Sequence, residues 1–563
     1  MPLRRALLLI APLGLLVACG DTEDPAAGDR DVGMGEDVGG EDAGTDAGTD
    51  ARTDPAVDTG TDPIDDATDD TTEDALVDAF EDVDGGFDIG FDAFDTDDAD
   101  IGDDTGSFDG PTIVRTGSAG FILRGDVLLP DRVLEDGEVF FVGARIVCVD
   151  DSCDGAPGAA NATLIETGGV ISPGLIDGHN HLPYNFLPEW VPEDGRLFNN
   201  RYEWADVASY EDHVRPLTAN RSSNSHFCPA AEWGELRSLL HGTTTIQGQS
   251  FDRNCIDGLV RNADHSHGLG PDHMRTAIGS VRDINDEDAA NYLASFDEGI
   301  TRFAVHMQEG LSGDNILEEH ESFAGRDDRP NRHMGVSLLG ETSILIHSIS
   351  LTLEQLDEVS DTGAHIVWSP SSNLVLYGET LDIDAVVMRG IPVGIGPDWT
   401  LSGEDDLLAE LAYANAWAAR NGVDAVDPEV LWRMATDDGA FVVGLRDEIG
   451  AIEVDLAADL VVFARGDTPW TSVTEARATD VQLVFVGGEP LYGIGALDAL
   501  VDGCESIDVC GDVRFVCRSS SSVYDTIGDI EQALIDILEG TGHDEDEQYG
   551  RGDELLPLVD CSR

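Results

Sequence analysis

Lysine is absent from this 563-residue chain: all 31 basic residues are arginine, set against 113 Asp and Glu, for a net charge of −82. That balance argues against nucleic-acid partners, because phosphate binding requires basic patches. Long apolar runs are also scarce. The stretch from Ala6 to Val17 is too short to span a bilayer as a mature helix. No CxxC spacing occurs among the nine cysteines, which disfavours a cysteine-rich zinc site. Spaced aspartates such as Asp82 and Asp84 never complete a calcium loop with its terminal Glu.

The ends of the chain carry their own signals. Arg4 and Arg5 precede the apolar run, and Leu16-Val17-Ala18-Cys19 follows in the pattern of a bacterial lipobox. Residues 1–19 are therefore expected to be a lipoprotein signal peptide, with Cys19 lipidated and the protein in the cell envelope, held to the membrane through that anchor only. Residues 20–110, dominated by Asp, Gly, Thr and Ala, are expected to be a disordered acidic linker, since they lack the apolar content that offsets ordering entropy. Residues 21–110 hold 33 acidic residues and two Arg, so most of the negative charge belongs to the rest of the chain. An acidic, lysine-free surface suits a saline habitat, where ions screen its self-repulsion. Setting Cys19 aside, Cys148, Cys153, Cys228, Cys255, Cys504, Cys510, Cys517 and Cys561 form two close pairs and a group of four. Three connectivities remain open within the group, and export favours disulfides.

Short strand-like runs (FILRGDVLL, EVFFVGARIVCV, ATLIETGGVI) open the folded part, and LAADLVVFA and DVQLVFVGG close it. Between them, strand and helix patterns alternate, as in a parallel α/β unit. Strands are placed near 174–179, 243–248, 274–281, 302–306, 343–347, 364–368 and 392–397; an eighth is not evident. Metal-ligand side chains sit where four of these runs end: His179 and His181, His306 with Glu309 three residues on, His347, and Asp398. Parallel strands in a barrel open onto one shared mouth, so these ends can converge on one cation. The second H-x-H, His265 and His267, follows polar residues and is read as a surface loop. His241 is expected to cap or pack, and His365 to face away from the mouth. The other histidines carry no ligand spacing.

The ordered series PGLIDGHNH, HGTTT (His241–Thr245), HMQE, IHSISLT, SPSSNL and GIGPD, followed by ATDDGAFVVGL and AADLVVF, resembles the amidohydrolase superfamily over roughly residues 118–500. The likeness is to its cytosine-deaminase-like, single-metal branch. The resemblance implies an α/β fold: a distorted (β/α)8 TIM-like barrel over 173–446, inserted in a small β-sandwich built from 111–172 and 447–500. Residues 501–563 are left as a Cys-rich appendage, a loop followed by a helix over Thr526–Glu539. The resemblance implies one divalent ion per chain, Zn or Fe, held by His179, His181, His306 and Asp398. The carbamylated-lysine bridge of two-metal relatives is excluded, since no lysine exists to carry it and Arg stays protonated. By the same resemblance, Asp398 takes a proton from the attacking water and Glu309 delivers one to the leaving nitrogen. His347 hydrogen-bonds that water or the developing oxyanion. The substrate-binding residues are left open, with Tyr184, Trp190 and Asn373 as candidates, and the aromatic loop over 182–216 either lines the pocket or packs on itself. Deamination of a small cyclic nitrogen compound leads, with cyclic-amide hydrolysis and ligand binding without turnover as alternatives.

Overall fold

A computed structural model describes residues 110–190, 192, 195–215, 217, 224–248, 259–265, 267–277, 281–518, 522–540 and 554–562. Cys19, the acidic segment through 109, Cys255 and His543 lie outside the described residues.

The chain enters through β1 (Thr112–Arg115), β2 (Phe121–Leu129), β3 (Arg132–Val142), β4 (Arg145–Asp150) and β5 (Thr163–Pro173). Eight short parallel strands follow: β6 (Leu175–Asp177), β7 (Thr243–Ile246), β8 (Arg261–Asn262), β9 (Met274–Ala277), β10 (Arg302–Met307), β11 (Ser343–His347), β12 (His365–Trp368) and β13 (Val393–Ile395). The chain then returns through β14 (Leu460–Phe463), β15 (Val481–Val486), β16 (Glu489–Ile494), β17 (Glu505–Val509) and β18 (Asp512–Val516). The two flanks join in one ten-stranded sheet, order β17-β18-β16-β15-β14-β5-β2-β3-β4, with β1 on β5. Apolar residues of both flanks, among them Leu123, Phe141, Ile171, Val462 and Phe485, share one core.

The parallel strands form arcs of five (β13-β12-β11-β10-β9) and three (β6-β7-β8). Gly178 N donates to Ile395 O at 2.9 Å, joining the arcs beside β6 and β13. The result is a TIM-barrel-like α/β fold. Strands β11 and β12 are buried throughout, and β10 except for Arg302, as expected of parallel strands covered on both faces.

Three expectations change. An eighth strand exists at Arg261–Asn262, in the stretch expected to be an unstructured polar lead into His265. Its polar residues are buried because Arg261 pairs with Asp459 at 2.6 Å and donates to His267 O. His267 is correspondingly buried, its Nε2 3.3 Å from Pro271 O, and does not lie in a surface loop. The expected Cys-rich loop is the hairpin β17–β18, which pairs with β16 and extends the sheet.

The helix expected over Thr526–Glu539 forms over Ile527–Leu538, with Thr526 and Asp529 in a reciprocal capping box. Disulfides link Cys148 to Cys153, Cys504 to Cys517 and Cys510 to Cys561, and Cys228 is also disulfide-bonded. No helix among the described residues is long and apolar enough to cross a membrane.

Candidate metal centre

The strand ends are locked together by backbone before any side chain is considered. His181 N donates to Asp398 O at 2.5 Å and Asp398 N to His179 O at 3.1 Å, which clamps the HNH turn against the Asp398 turn. Gly396 permits this approach: a Cβ there would lie 2.5 Å from His179 O and 2.6 Å from an Asp177 carboxylate oxygen. Gly248 does the same for the neighbouring strand, with φ of +123° and Asn180 O 1.5 Å from where a Cβ would sit. In the paired strands β10 and β11, Met307 lies opposite His347, so His306 and His347 project from adjacent strand ends. Gln308, His347, Ser348 and Asp398 all have positive φ, four of the eight non-glycine residues that do so among those described. Such strain persists only where the surroundings impose it, and it concentrates at functional sites.

His179, His306, His347 and Asp398 each offer one ligand atom within 4.8 Å of the others, all buried. His181 is less buried: its Nε2 lies 3.3 Å from Asp398 Oδ1 and its ring stacks on His306. His347, expected to act on the water and not as a ligand, is thus part of the tightest set, and His181 flanks it. Four buried polar atoms, His179 Nε2, His306 Nδ1, His347 Nε2 and Asp398 Oδ1, have no hydrogen-bond partner. His179 Nε2 approaches Asp398 Oδ1 at 3.2 Å without hydrogen-bond alignment. Buried polar atoms are normally paired. Imidazole nitrogen with carboxylate oxygen is a donor set that suits Zn or Fe(II), so the residues fit a divalent ion.

Electrostatics agree. Burial drives His306 well below its usual pKa, aided by the facing histidines, and takes His347 down to about 4. Burial also lowers His181, against the pull of Asp398. Burial alone would raise the Asp398 carboxyl, but His179 and His181 hold it well below the carboxylate range. His181, His306 and His347 therefore offer neutral rings beside an anion, the forms that bind a cation, while the burial of His179 is outweighed by Asp398, and then Gln247, which shift it upward.

Glu309 stands beside the cluster, its Oε2 3.6 Å from His347 Nε2. Burial raises it to about 7. Tyr377 donates to its Oε1 at 2.7 Å, and Arg201 lies 3.8 Å from Oε2. Arg201 also pairs with buried Glu319 at 3.0 Å, and Glu319 accepts from Gln308 N at 2.6 Å. Arg201, Tyr377 and Glu319 were not legible in the sequence. Arg201 opens the short helix Arg201–Trp204, without spacing to a motif, although its N–H bonds Glu309 O at 3.2 Å.

The expected pocket residues divide. Tyr184 faces the site, its ring 6.2 Å from His181 and 5.6 Å from Trp399. Trp204 and Trp399 complete this aromatic wall, 5.6 Å apart. Trp190 is not part of it: buried, it packs on Phe198 and Tyr210. Asn373 is fully buried behind His347, its Oδ1 3.0 Å from His347 Nδ1 and its Nδ2 3.1 Å from Thr380 Oγ1. His241, His365 and His273 bond backbone carbonyls away from the cluster.

Residues 284–491 match the amidohydrolase family. The chain is 25% identical to a 5'-deoxyadenosine deaminase of Methanothermobacter thermautotrophicus, over 69% of this chain and 94% of that protein. It is also 25% identical to a 5-methylthioadenosine/S-adenosylhomocysteine deaminase of Halobacterium salinarum, over 61% and 83%. Among solved structures it is similar to a zinc-bound adenosine deaminase of Xanthomonas campestris. There the identity is 19%, covering 67% of this chain and 93% of that one with a TM-score of 0.53, a likeness of fold. These matches support the amidohydrolase superfamily and a hydrolase of carbon–nitrogen bonds other than peptide bonds.

Proposed function

We propose that the chain is a metal-dependent deaminase that releases ammonia from a small nitrogen heterocycle, with purine nucleosides as the substrate class. The observation that carries this reading is the convergence of four buried, unpartnered ligand atoms beside a buried carboxyl, Glu309. The deaminase relatives, named for 5'-deoxyadenosine and 5-methylthioadenosine, support the substrate class.

His179, His181, His306 and Asp398 are the residues assigned to hold one divalent ion, with His347 close enough to share in it. When bound, such an ion supplies Lewis acidity and brings the pKa of water toward neutrality. The chain's own groups handle the protons. Asp398 Oδ2 is held by Ser372 Oγ at 2.8 Å, which leaves Oδ1 facing inward to accept a proton from the attacking water. Glu309, fixed by Tyr377 and Arg201, delivers a proton to the leaving nitrogen. Tyr184, Trp204 and Trp399 offer ring faces to a planar substrate.

Glu309→Gln preserves shape and removes the transferable proton. Turnover is expected to drop about 10²- to 10⁴-fold, the usual range for general acid–base groups, with metal content retained. Near-parental turnover, measured as ammonia release, would remove Glu309 from the mechanism; loss of metal would make it a ligand.

A further inference from the structure

We infer that Asp264 and Gln247 form a buried relay that fixes the tautomer of His179, so that its neutral ring presents a bare Nε2 to the metal centre. The inference rests on the metal-centre reading and adds two positioning residues outside the motifs that carry it.

An amide side chain can sit either way round, and its neighbours decide which. Gln247, wholly buried just after β7, lies between His179 and Asp264. Its backbone is fixed on both sides: its N–H donates to Asp177 O at 2.9 Å, and its carbonyl accepts from Asn180 N at 2.8 Å. Asp264 is buried just after β8 and, as a carboxylate, only accepts. Its Oδ2 takes the Gly248 N–H at 2.7 Å and its Oδ1 the Thr276 hydroxyl at 2.5 Å. Gln247 Nε2 lies 3.2 Å from Asp264 Oδ1 and 3.2 Å from Thr276 Oγ1. The opposite orientation would set the amide oxygen against the carboxylate with no proton between them. The amide nitrogen therefore faces Asp264, and Gln247 Oε1 faces His179 Nδ1 at 3.1 Å. An acceptor at that place requires the proton on Nδ1, so in the neutral ring, the form that binds a metal, the lone pair is on Nε2. That atom is the buried one without a partner, 3.2 Å from Asp398 Oδ1. Partners that hold a ligating ring in this way are typically worth about 10- to 100-fold in metal affinity.

The test measures zinc affinity by chelator competition and histidine tautomers by nitrogen-15 spectra of metal-free protein, with His179→Asn identifying the His179 signal. Gln247→Met keeps the side chain's length and removes the acceptor. It is expected to weaken zinc binding about 10- to 100-fold, with the melting temperature of the metal-free protein near the parent's. The His179 signal, carrying its proton on Nδ1 in the parent, should gain an Nε2–H population. The double substitution Gln247→Glu/Asp264→Asn keeps an acceptor against His179 and supplies the donor from position 264; it is expected to recover most of the affinity. Asp264→Asn alone, which lets Gln247 turn over, serves where Gln247→Met does not fold and should show the same mixed tautomers. Parental zinc affinity in a folded Gln247→Met, or a neutral parent ring protonated on Nε2, overturns the relay. A parent that binds no zinc instead removes the metal-centre reading, and the nitrogen spectra still decide the relay.

Discussion

The residue with the most consequence outside the expected set is Arg201. Its guanidinium reaches both Glu309 and Glu319, so it holds the proposed proton donor in place while opposing the rise that burial imposes on it. Glu309 donates only while protonated, and its carboxyl stands at about 7. The rate kcat/KM is therefore expected to fall as pH rises past about 7. Arg201→Met removes the nearby positive charge, which favours the neutral acid further, and should move that alkaline limb to higher pH. A pH–rate profile whose limb stays in place or moves down contradicts the role given to the pair. The ligand residues were legible because each follows an apolar strand run. Arg201 and Tyr377 were not, because what joins them to Glu309 is tertiary contact between a loop and a helix distant in sequence.

At the scale of elements, apolar runs located seven of the eight parallel strands, and β8 escaped because it has none. Arg261 and Asn262 are buried by ion pairing and hydrogen bonding instead, and the Asp459 that pairs with Arg261 lies almost two hundred residues away. A comparable polar group is buried inside the helix Leu407–Asn421. Its Glu410 accepts from Ser371 N at 3.1 Å and contacts the Ser371 hydroxyl, and burial raises it to about 8. The folded state thus keeps a proton that the unfolded chain releases at ordinary carboxylate pH. Its contribution to stability is fully present below the unfolded value near 4.5 and is lost as pH rises through about 8. Glu410→Gln, which never ionises, should flatten the pH dependence of the melting temperature between pH 5 and about 8. An unchanged slope would show that Glu410 does not set it. The aromatic loop shows how one composition serves two ends: Tyr184 and Trp204 reach the site while Trp190, Phe198 and Tyr210 pack together.

The C-terminal segment is tied into the whole molecule. Leu556 N donates to Phe186 O at 3.0 Å, Trp233 Nε1 to Leu556 O at 3.0 Å, and Arg237 to Pro557 O, with Cys510–Cys561 closing the end. Phe186 lies in the aromatic loop behind the site, so the appendage braces the element that presents Tyr184. At the other end, the lipobox reading of Cys19 stands as a proposal. Cys19→Ser is expected to move the protein from the membrane fraction to the soluble one, and unchanged membrane association would refute it. The central claim is that one divalent ion in the His179–Asp398 cluster enables deamination. Its most direct test is ammonia release from 5'-deoxyadenosine, 5-methylthioadenosine, adenosine and guanine by protein stripped with chelator and then titrated with zinc. The expected result is no release from the stripped protein, activity that rises to a plateau at one zinc per chain, and none from His179→Ala at any zinc level. Failure of the zinc-loaded protein to release ammonia from the whole panel, or equal release before and after stripping, contradicts it.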